Sequence, residues 1–218
     1  MNKWLSPIMP LIPVPQGLAR EMLLRDNRRE HAESGWARLR SPAELGRYSV
    51  IRGWCQHFGR DGAVLDVGCG EGILQESLVG YGRYTGIDLF PEAIARAQAK
   101  SDARTHFLQA DVASYEPDEP LDVIIWNECL YYLSNPIDTI ARYKGFLKPG
   151  GVIIVSMFYQ AYLTRRLFRR LHVLGPQVAS LQVSNDEGAT WGLRAYRPNE
   201  SPAAAQGLYS QPVRQSVP

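Results

Sequence analysis

The residues with the clearest chemical capacity stand in the run VLDVGCGEG, residues 64–72, and at Asp88, which lies 20 positions beyond Gly68. Gly68, Gly70 and Gly72 allow a sharp turn and a close approach of the backbone to a ligand. With AVLDV as a strand and YTGID as the next, the glycine turn and Asp88 come side by side at the carboxyl edge of a parallel sheet. Folds of this kind open their ligand crevice there. A carboxylate in that place can accept hydrogen bonds from both hydroxyls of a ribose. A second group is NECLYYL, residues 127–133, which follows the apolar run LDVIIWN and so faces the same crevice from Asn127 onward. Glu128 is the nearest carboxylate in it that could take a proton, and Tyr131 and Tyr132 could position a reacting partner. The competing expectation is that Glu128 caps the following helix or faces solvent, with both tyrosines serving only to pack.

The acids around the turn indicate which nucleoside is held. A dinucleotide fingerprint reads G-x-G-x-x-G and must welcome a pyrophosphate. Here the glycines are spaced G-x-G-x-G, with Asp66 and Glu71 beside them. Two carboxylates repel a phosphate but suit a ligand carrying an ammonium and a sulfonium, as S-adenosylmethionine does. The chain resembles the class I, Rossmann-like S-adenosylmethionine-dependent methyltransferases over about residues 60–197. VLDVGCGEG is similar to their first motif, YTGIDLF to the second, FLQADV to the third, LDVIIWNECLYYL to the fourth, and LKPGGVIIVSMF to the segment entering strand five. The NECLYYL segment is similar to those of small-molecule methyltransferases, nodulation-type N-methyltransferases among them. The resemblance implies that Asp66, Gly68, Cys69 and Gly70 line the methionine portion, Asp88 and Leu89 the ribose, and Asp111 and Val112 the adenine. It also implies an N-terminal helical segment folded over the cofactor. Arg47 would then meet the methionine carboxylate and Tyr48 the acceptor or sulfonium, unless this helix simply packs on the sheet edge.

Transfer from a sulfonium to an O or N atom of a small-molecule acceptor is an in-line displacement on an activated carbon. The protein need supply only orientation, exclusion of water and a base, with S-adenosylhomocysteine as the product. Two other readings share the turn and the ribose acid. One is a nicotinamide-dependent oxidoreductase, which the glycine spacing disfavours; the other is a methyltransferase-like binding protein without turnover. No metal is expected, because His31, His57, His106 and His172 are scattered and lack an i, i+4 partner.

These groups need a doubly wound α/β frame to position them. Short apolar runs alternating with helical stretches from Ala63 onward predict βαβ units. The runs QVASLQVS and ATWGLRAY around the turn NDEG predict an antiparallel hairpin that completes a mostly parallel, seven-stranded sheet. A helix is expected from about Gly72, a second over PEAIARAQAK, a third over IDTIARYKGFL ended by LKPGG, and a fourth over YLTRRLFRRL. Three regions follow: an N-terminal extension and helical cap over 1–59, the core over 60–197, and a disordered tail over 198–218.

The bulk properties fit one such core. The 218 residues are 45% hydrophobic, and 24 basic against 22 acidic residues leave a net charge of +2, so no strong field calls for nucleic acid or a membrane surface. Cys55, Cys69 and Cys129 are too few and too dispersed for a disulfide framework, which suits the cytoplasm. Cys69 reads as a small loop residue rather than a nucleophile. Prolines at 7, 10, 13 and 15 break the apolar N-terminus, so it does not read as a signal peptide. Arg165, Arg166, Arg169 and Arg170 share one helix face opposite Leu163, Leu167 and Leu171. That face is either solvated or a dock for an acidic substrate or carrier.

Overall fold

The computed structural model describes residues 35–159 and 162–198, so the expectations for residues 1–34, for His31 and for the tail beyond Pro198 lie outside the described residues. Seven strands form one sheet: β1 (Ala63–Val67), β2 (Arg83–Asp88), β3 (Thr105–Gln109), β4 (Leu121–Asn127), β5 (Leu147–Phe158), β6 (Gln177–Ser184) and β7 (Thr190–Tyr196). Their order is β3-β2-β1-β4-β5-β7-β6, parallel from β3 through β5 and antiparallel at β7 and β6. The strand order reverses between β1 and β4, and the crevice of an open α/β sheet lies at that reversal.

Four α-helices cover the sheet: α1 (Pro42–Phe58), α2 (Pro91–Ala97), α3 (Pro136–Tyr143) and α4 (Tyr162–Arg170). Prolines open α1, α2 and α3, where a missing N–H costs no intrahelical bond and the fixed φ favours entry. Helix α1 lays Tyr48, Ile51 and Cys55 on one sheet face with Val64, Tyr84, Ile125, Ile154 and Trp191. On the other face Ile137, Ile140 and Tyr143 of α3 and Leu167 and Phe168 of α4 meet Leu65, Ile124, Trp126 and Ile153. With apolar contacts on both sides, β4 is buried at Val123, Ile124, Ile125 and Trp126, which explains its unbroken apolar run.

Two expectations are corrected. No α-helix starts at Gly72; the chain runs through turns into a single 3-10 turn, Gln75–Ser77. Gly72 holds φ at 73°, outside the helical region, and Leu78 is already extended at ψ 141°, so the segment between them makes only this one turn. The LKPGG segment does follow the end of α3, through a 3-10 turn at Lys144–Phe146, but it also opens β5, pairing Leu147 with Leu121 before a bulge. Among the described residues no helix is long and apolar enough to cross a membrane, and no group of three or more His, Cys, Asp or Glu could hold a metal ion.

Candidate active site

The crevice begins at the glycine turn that leaves β1. The amides of Gly68 and Cys69 both donate to the Ile87 carbonyl, which ties the turn to β2. Gly68 sits at φ 70°, and a Cβ there would stand 2.6 Å from Cβ of Cys129. The Gly70 amide donates to Asp88 Oδ2 at 2.8 Å, and the Phe90 amide to Oδ1 at 3.0 Å. Asp88 is thereby fixed at the crevice edge, and carboxylate oxygens with two lone pairs each can accept further bonds. Leu89 beside it is exposed. Cys69 is buried, and burial pushes its thiol well above the ordinary range, which keeps it protonated and unreactive.

Asp66 is only 1% exposed. Tyr84 donates to its Oδ2 at 2.8 Å, while Oδ1 is shut off from solvent without a hydrogen-bond partner. Burial pushes this carboxyl up to about 7; the Tyr84 hydrogen bond and the Arg47 charge oppose the rise, and the Asp88 charge adds to it.

Further along the edge the Val112 carbonyl accepts from Arg142 Nη2 at 2.8 Å and from the Tyr143 hydroxyl at 2.9 Å. Asp111, exposed, accepts from the Ala113 amide at 2.9 Å. Both bonds to Val112 use its carbonyl, so the loop after β3 is held without engaging the Val112 amide.

Glu128 follows the end of β4 with φ at 59°, a left-handed conformation that costs a residue with a side chain roughly 1–2 kcal/mol. Its amide donates to the Ser156 carbonyl at 2.9 Å, so the β4–β5 ladder holds the strained residue in place. Its carboxylate neither faces solvent nor caps a helix. Tyr131 donates to Oε2 at 2.8 Å, and Oε1 is buried without a partner. Burial pushes this carboxyl, too, up to about 7, against the Arg47 charge and the hydrogen bonds from Tyr131 and the Phe158 backbone, while the Glu44 charge adds to the rise. The rings of Tyr131 and Tyr132 lie 4.6 Å apart.

Helix α1 closes the site with Arg47, which is 2% exposed. Its Nε donates to Glu44 Oε2 at 2.5 Å, its Nη1 to Asn127 Oδ1, and its Nη2 to the Tyr48 hydroxyl at 3.1 Å. The guanidinium lies 4.3 Å over the Tyr48 ring and 5.7 Å from the Trp191 ring. Burial and the neighbouring carboxylates push the Tyr48 hydroxyl up to about 12, so it remains a donor.

Sequence reasoning missed Glu44, Tyr84 and Trp191. The i, i+3 spacing of Glu44 and Arg47 on one helix was the available signal for the first. Several singled-out residues lie away from the crevice. His57, His106 and His172 are exposed, and Arg165, Arg166, Arg169 and Arg170 point outward from α4. A groove of about 590 Å³ opens at the amino ends of β1 and β2, lined by Ala63, Arg83, His106 and Glu119, at the opposite end of the strands from the glycine turn.

Residues 24–188 match the family described as "Methyltransferase domain". The chain belongs to this methyltransferase-domain family. It is 33% identical over 126 residues to the malonyl-[acyl-carrier protein] O-methyltransferase of Paenibacillus sp. (strain JDR-2), covering 53% of this chain and 45% of that protein. It is 36% identical over 111 residues to the ubiquinone biosynthesis O-methyltransferase of Histophilus somni (strain 2336), covering 45% and 46%. The chain thus spans about half the length of these relatives. Its fold is shared with the N-methyltransferase NodS from Bradyrhizobium japonicum WM9, solved with S-adenosyl-L-homocysteine, at a TM-score of 0.68 and 24% identity over 81% of this chain and 98% of that one. It is also shared with 1,6-didemethyltoxoflavin-N1-methyltransferase of Burkholderia thailandensis, at a TM-score of 0.71 and 21% identity over 89% and 94%.

Proposed function

We propose that this methyltransferase-domain protein transfers a methyl group from S-adenosylmethionine to an O or N atom of a small-molecule acceptor in the cytoplasm. The observation that carries this is the glycine turn bonded to Asp88 at the sheet's reversal point, with the buried Asp66, one oxygen unpartnered, in the strand that leads into it. That donor set fits the cofactor: a carboxylate at the ribose, backbone close to the chain, and an unneutralised acid where a cation would sit. A pyrophosphate would meet Asp66 instead of a donor. The two relatives and two structures named above are O- and N-methyltransferases, which supports the reaction and leaves both acceptor atoms in play.

Bound there, S-adenosylmethionine supplies an electrophilic methyl on a positively charged sulfur. Asp66, Gly68, Cys69 and Gly70 would hold the methionine portion, Asp88 and Leu89 the ribose, and Asp111 with Val112 the adenine. Arg47, Tyr48 and Asn127 would close over the methionine end, and Glu128 would take the acceptor proton while Tyr131 and Tyr132 position it. The exclusion of water by α1 and the alignment of acceptor with methyl supply most of the remaining rate.

Calorimetry with S-adenosylmethionine, S-adenosylhomocysteine and NAD tests the reading. Binding of the first two and not the third is expected, and Asp88→Ala should weaken it by roughly 1–3 kcal/mol, the scale of a lost charge-assisted hydrogen bond. Saturable NAD binding without S-adenosylmethionine binding would overturn it.

A further inference from the structure

The charge balance of the crevice wall identifies the class of acceptor, on the reading that the site transfers methyl groups. Three carboxylates, those of Glu44, Asp66 and Glu128, are withdrawn from solvent around one guanidinium. Among the described residues Arg47 is the buried cation of the chain. Its charge is matched by Glu44, and its remaining bonds go to the neutral groups of Asn127 and Tyr48. Asp66 receives the Tyr84 hydroxyl, and Glu128 the Tyr131 hydroxyl and a backbone hydrogen bond from Phe158; among the described residues neither carboxylate forms an ion pair. Once Asp66 and Glu128 ionise, the described residues of the wall therefore carry an unmatched negative balance in a place where charge is poorly screened.

An anionic acceptor entering this wall would add a further buried negative charge and find, among the described residues, no unused buried cation to receive it. A nitrogen bearing hydrogens meets the opposite situation. Glu128 Oε1, when ionised, only accepts, and it lacks a donor. We propose that the acceptor is an amine, seated with an N–H on Glu128 Oε1, and that carboxylates are excluded from the acceptor position by charge.

The step balances with the groups at hand. An ammonium gives one proton to Glu128 Oε1 and becomes a neutral amine with a free lone pair. That lone pair forms the new N–C bond as the methyl–sulfur bond breaks, and the bonding electrons remain on sulfur. The products are an N-methylammonium and the neutral thioether S-adenosylhomocysteine, and Glu128 returns its proton to solvent when they leave.

The test uses the full chain saturated with S-adenosylhomocysteine and ligand-observed NMR with three fragments of one shape: benzylamine, benzyl alcohol and benzoate. Saturation transfer is expected to be strongest for benzylamine, weaker for benzyl alcohol and absent for benzoate. Glu128→Gln should reduce the benzylamine affinity by about tenfold or more, the loss of one charge-assisted hydrogen bond, and leave benzyl alcohol little changed. Equal responses from the three fragments, or a preference for benzoate, would overturn the amine assignment. The wild-type order decides the matter by itself if Glu128→Gln does not fold. Calorimetric titration of S-adenosylhomocysteine into the same sample separates the two levels: failure there removes the methyltransferase reading, whereas binding there with the wrong fragment order removes only the acceptor class.

Discussion

Tyr131 donates its hydroxyl to Glu128 Oε2 at 2.8 Å, and the other oxygen of that carboxylate is buried without a partner. The hydrogen bond stabilises the ionised form and so opposes the burial that pushes the carboxyl up to about 7. A base of this kind is deprotonated only as pH rises through neutrality. Turnover should accordingly climb with pH through about 7. Tyr131→Phe removes the stabilising donor and should move that limb to higher pH, while Glu128→Gln should abolish it and lower turnover by about 10²–10⁴-fold with cofactor affinity nearly constant. Rate profiles against pH for the three proteins check this. A limb that persists in Glu128→Gln belongs to another group.

The same burial links stability to pH. Asp66 and Glu128 have folded pKa values near 7, above those of the unfolded chain, so the native state binds more protons between the two values. Their contribution is fully present below about pH 4, the unfolded range for carboxylates, and is lost as pH rises through about 7. The ligand-free protein should lose this part of its stability between about pH 4 and pH 7. Glu128→Gln should flatten the slope and melt higher than wild type at pH 8. Thermal melts across that range and above it measure both. An unaltered slope in the variant would show that Glu128 is already ionised in the folded protein at low pH.

Gly68 and Gly70 both hold positive φ, at 70° and 54°, but their surroundings differ. A Cβ at Gly68 would meet Cβ of Cys129 at 2.6 Å, whereas nothing lies within 4 Å of one at Gly70. Gly70→Ala should therefore cost only the left-handed backbone penalty of roughly 1–2 kcal/mol. Gly68→Ala must also push the β1 turn away from the loop after β4, and should abolish cofactor binding before it unfolds the protein. Paired denaturant melts and calorimetry distinguish the two. Equal losses of stability at both positions would show that the contact between Gly68 and Cys129 relaxes without cost.

Much of the frame was legible because its signals are local. The β1, β4 and β6 boundaries follow directly from the runs AVLDV, LDVIIWN and QVASLQVS, each closed by a turn or a glycine. The glycine spacing located the crevice for the same reason. What could not be read are contacts between distant elements. Arg47 reaches Asn127 across 80 positions, and Tyr84 reaches Asp66 because the parallel register sets Val64 opposite Tyr84 and Asp66 opposite Gly86. The burial of Glu128 was equally hidden: its left-handed backbone depends on the bond to Ser156 of β5, and nothing in NECLYYL announces it. The helix expected at Gly72 failed because the left-handed backbone of Gly72 and the extended backbone of Leu78 bound the segment.

The arginines of α4 offer a separation of roles. Arg165, Arg166, Arg169 and Arg170 are all exposed, whereas Leu167 and Phe168 carry the packing. Replacing Arg165 and Arg169 by Glu should change stability by no more than about 0.5 kcal/mol per site, as for surface substitutions generally. Turnover of a small acceptor should be unchanged. A loss of turnover confined to an acidic or carrier-borne acceptor, seen in steady-state kinetics, would identify this face as its dock.

Glu44 and Arg47 form the buried ion pair that fastens α1 to the core through Asn127. Removing one member of such a pair strands the other without water, which typically costs about 3–5 kcal/mol, while replacing both by apolar groups of similar volume is often close to neutral. Glu44→Leu and Arg47→Met should each destabilise strongly alone, and the double variant should recover most of the loss. Function should not recover with it. The double variant loses the bonds to Asn127 and Tyr48 and the charge that, among the described residues, tempers both Asp66 and Glu128, so cofactor affinity should fall even though the fold is restored. Denaturant melts of the three variants test the first half, and calorimetry with S-adenosylhomocysteine the second. If the double variant binds the cofactor as wild type does, Arg47 serves the packing of α1 alone, and the methionine carboxylate is held by other groups.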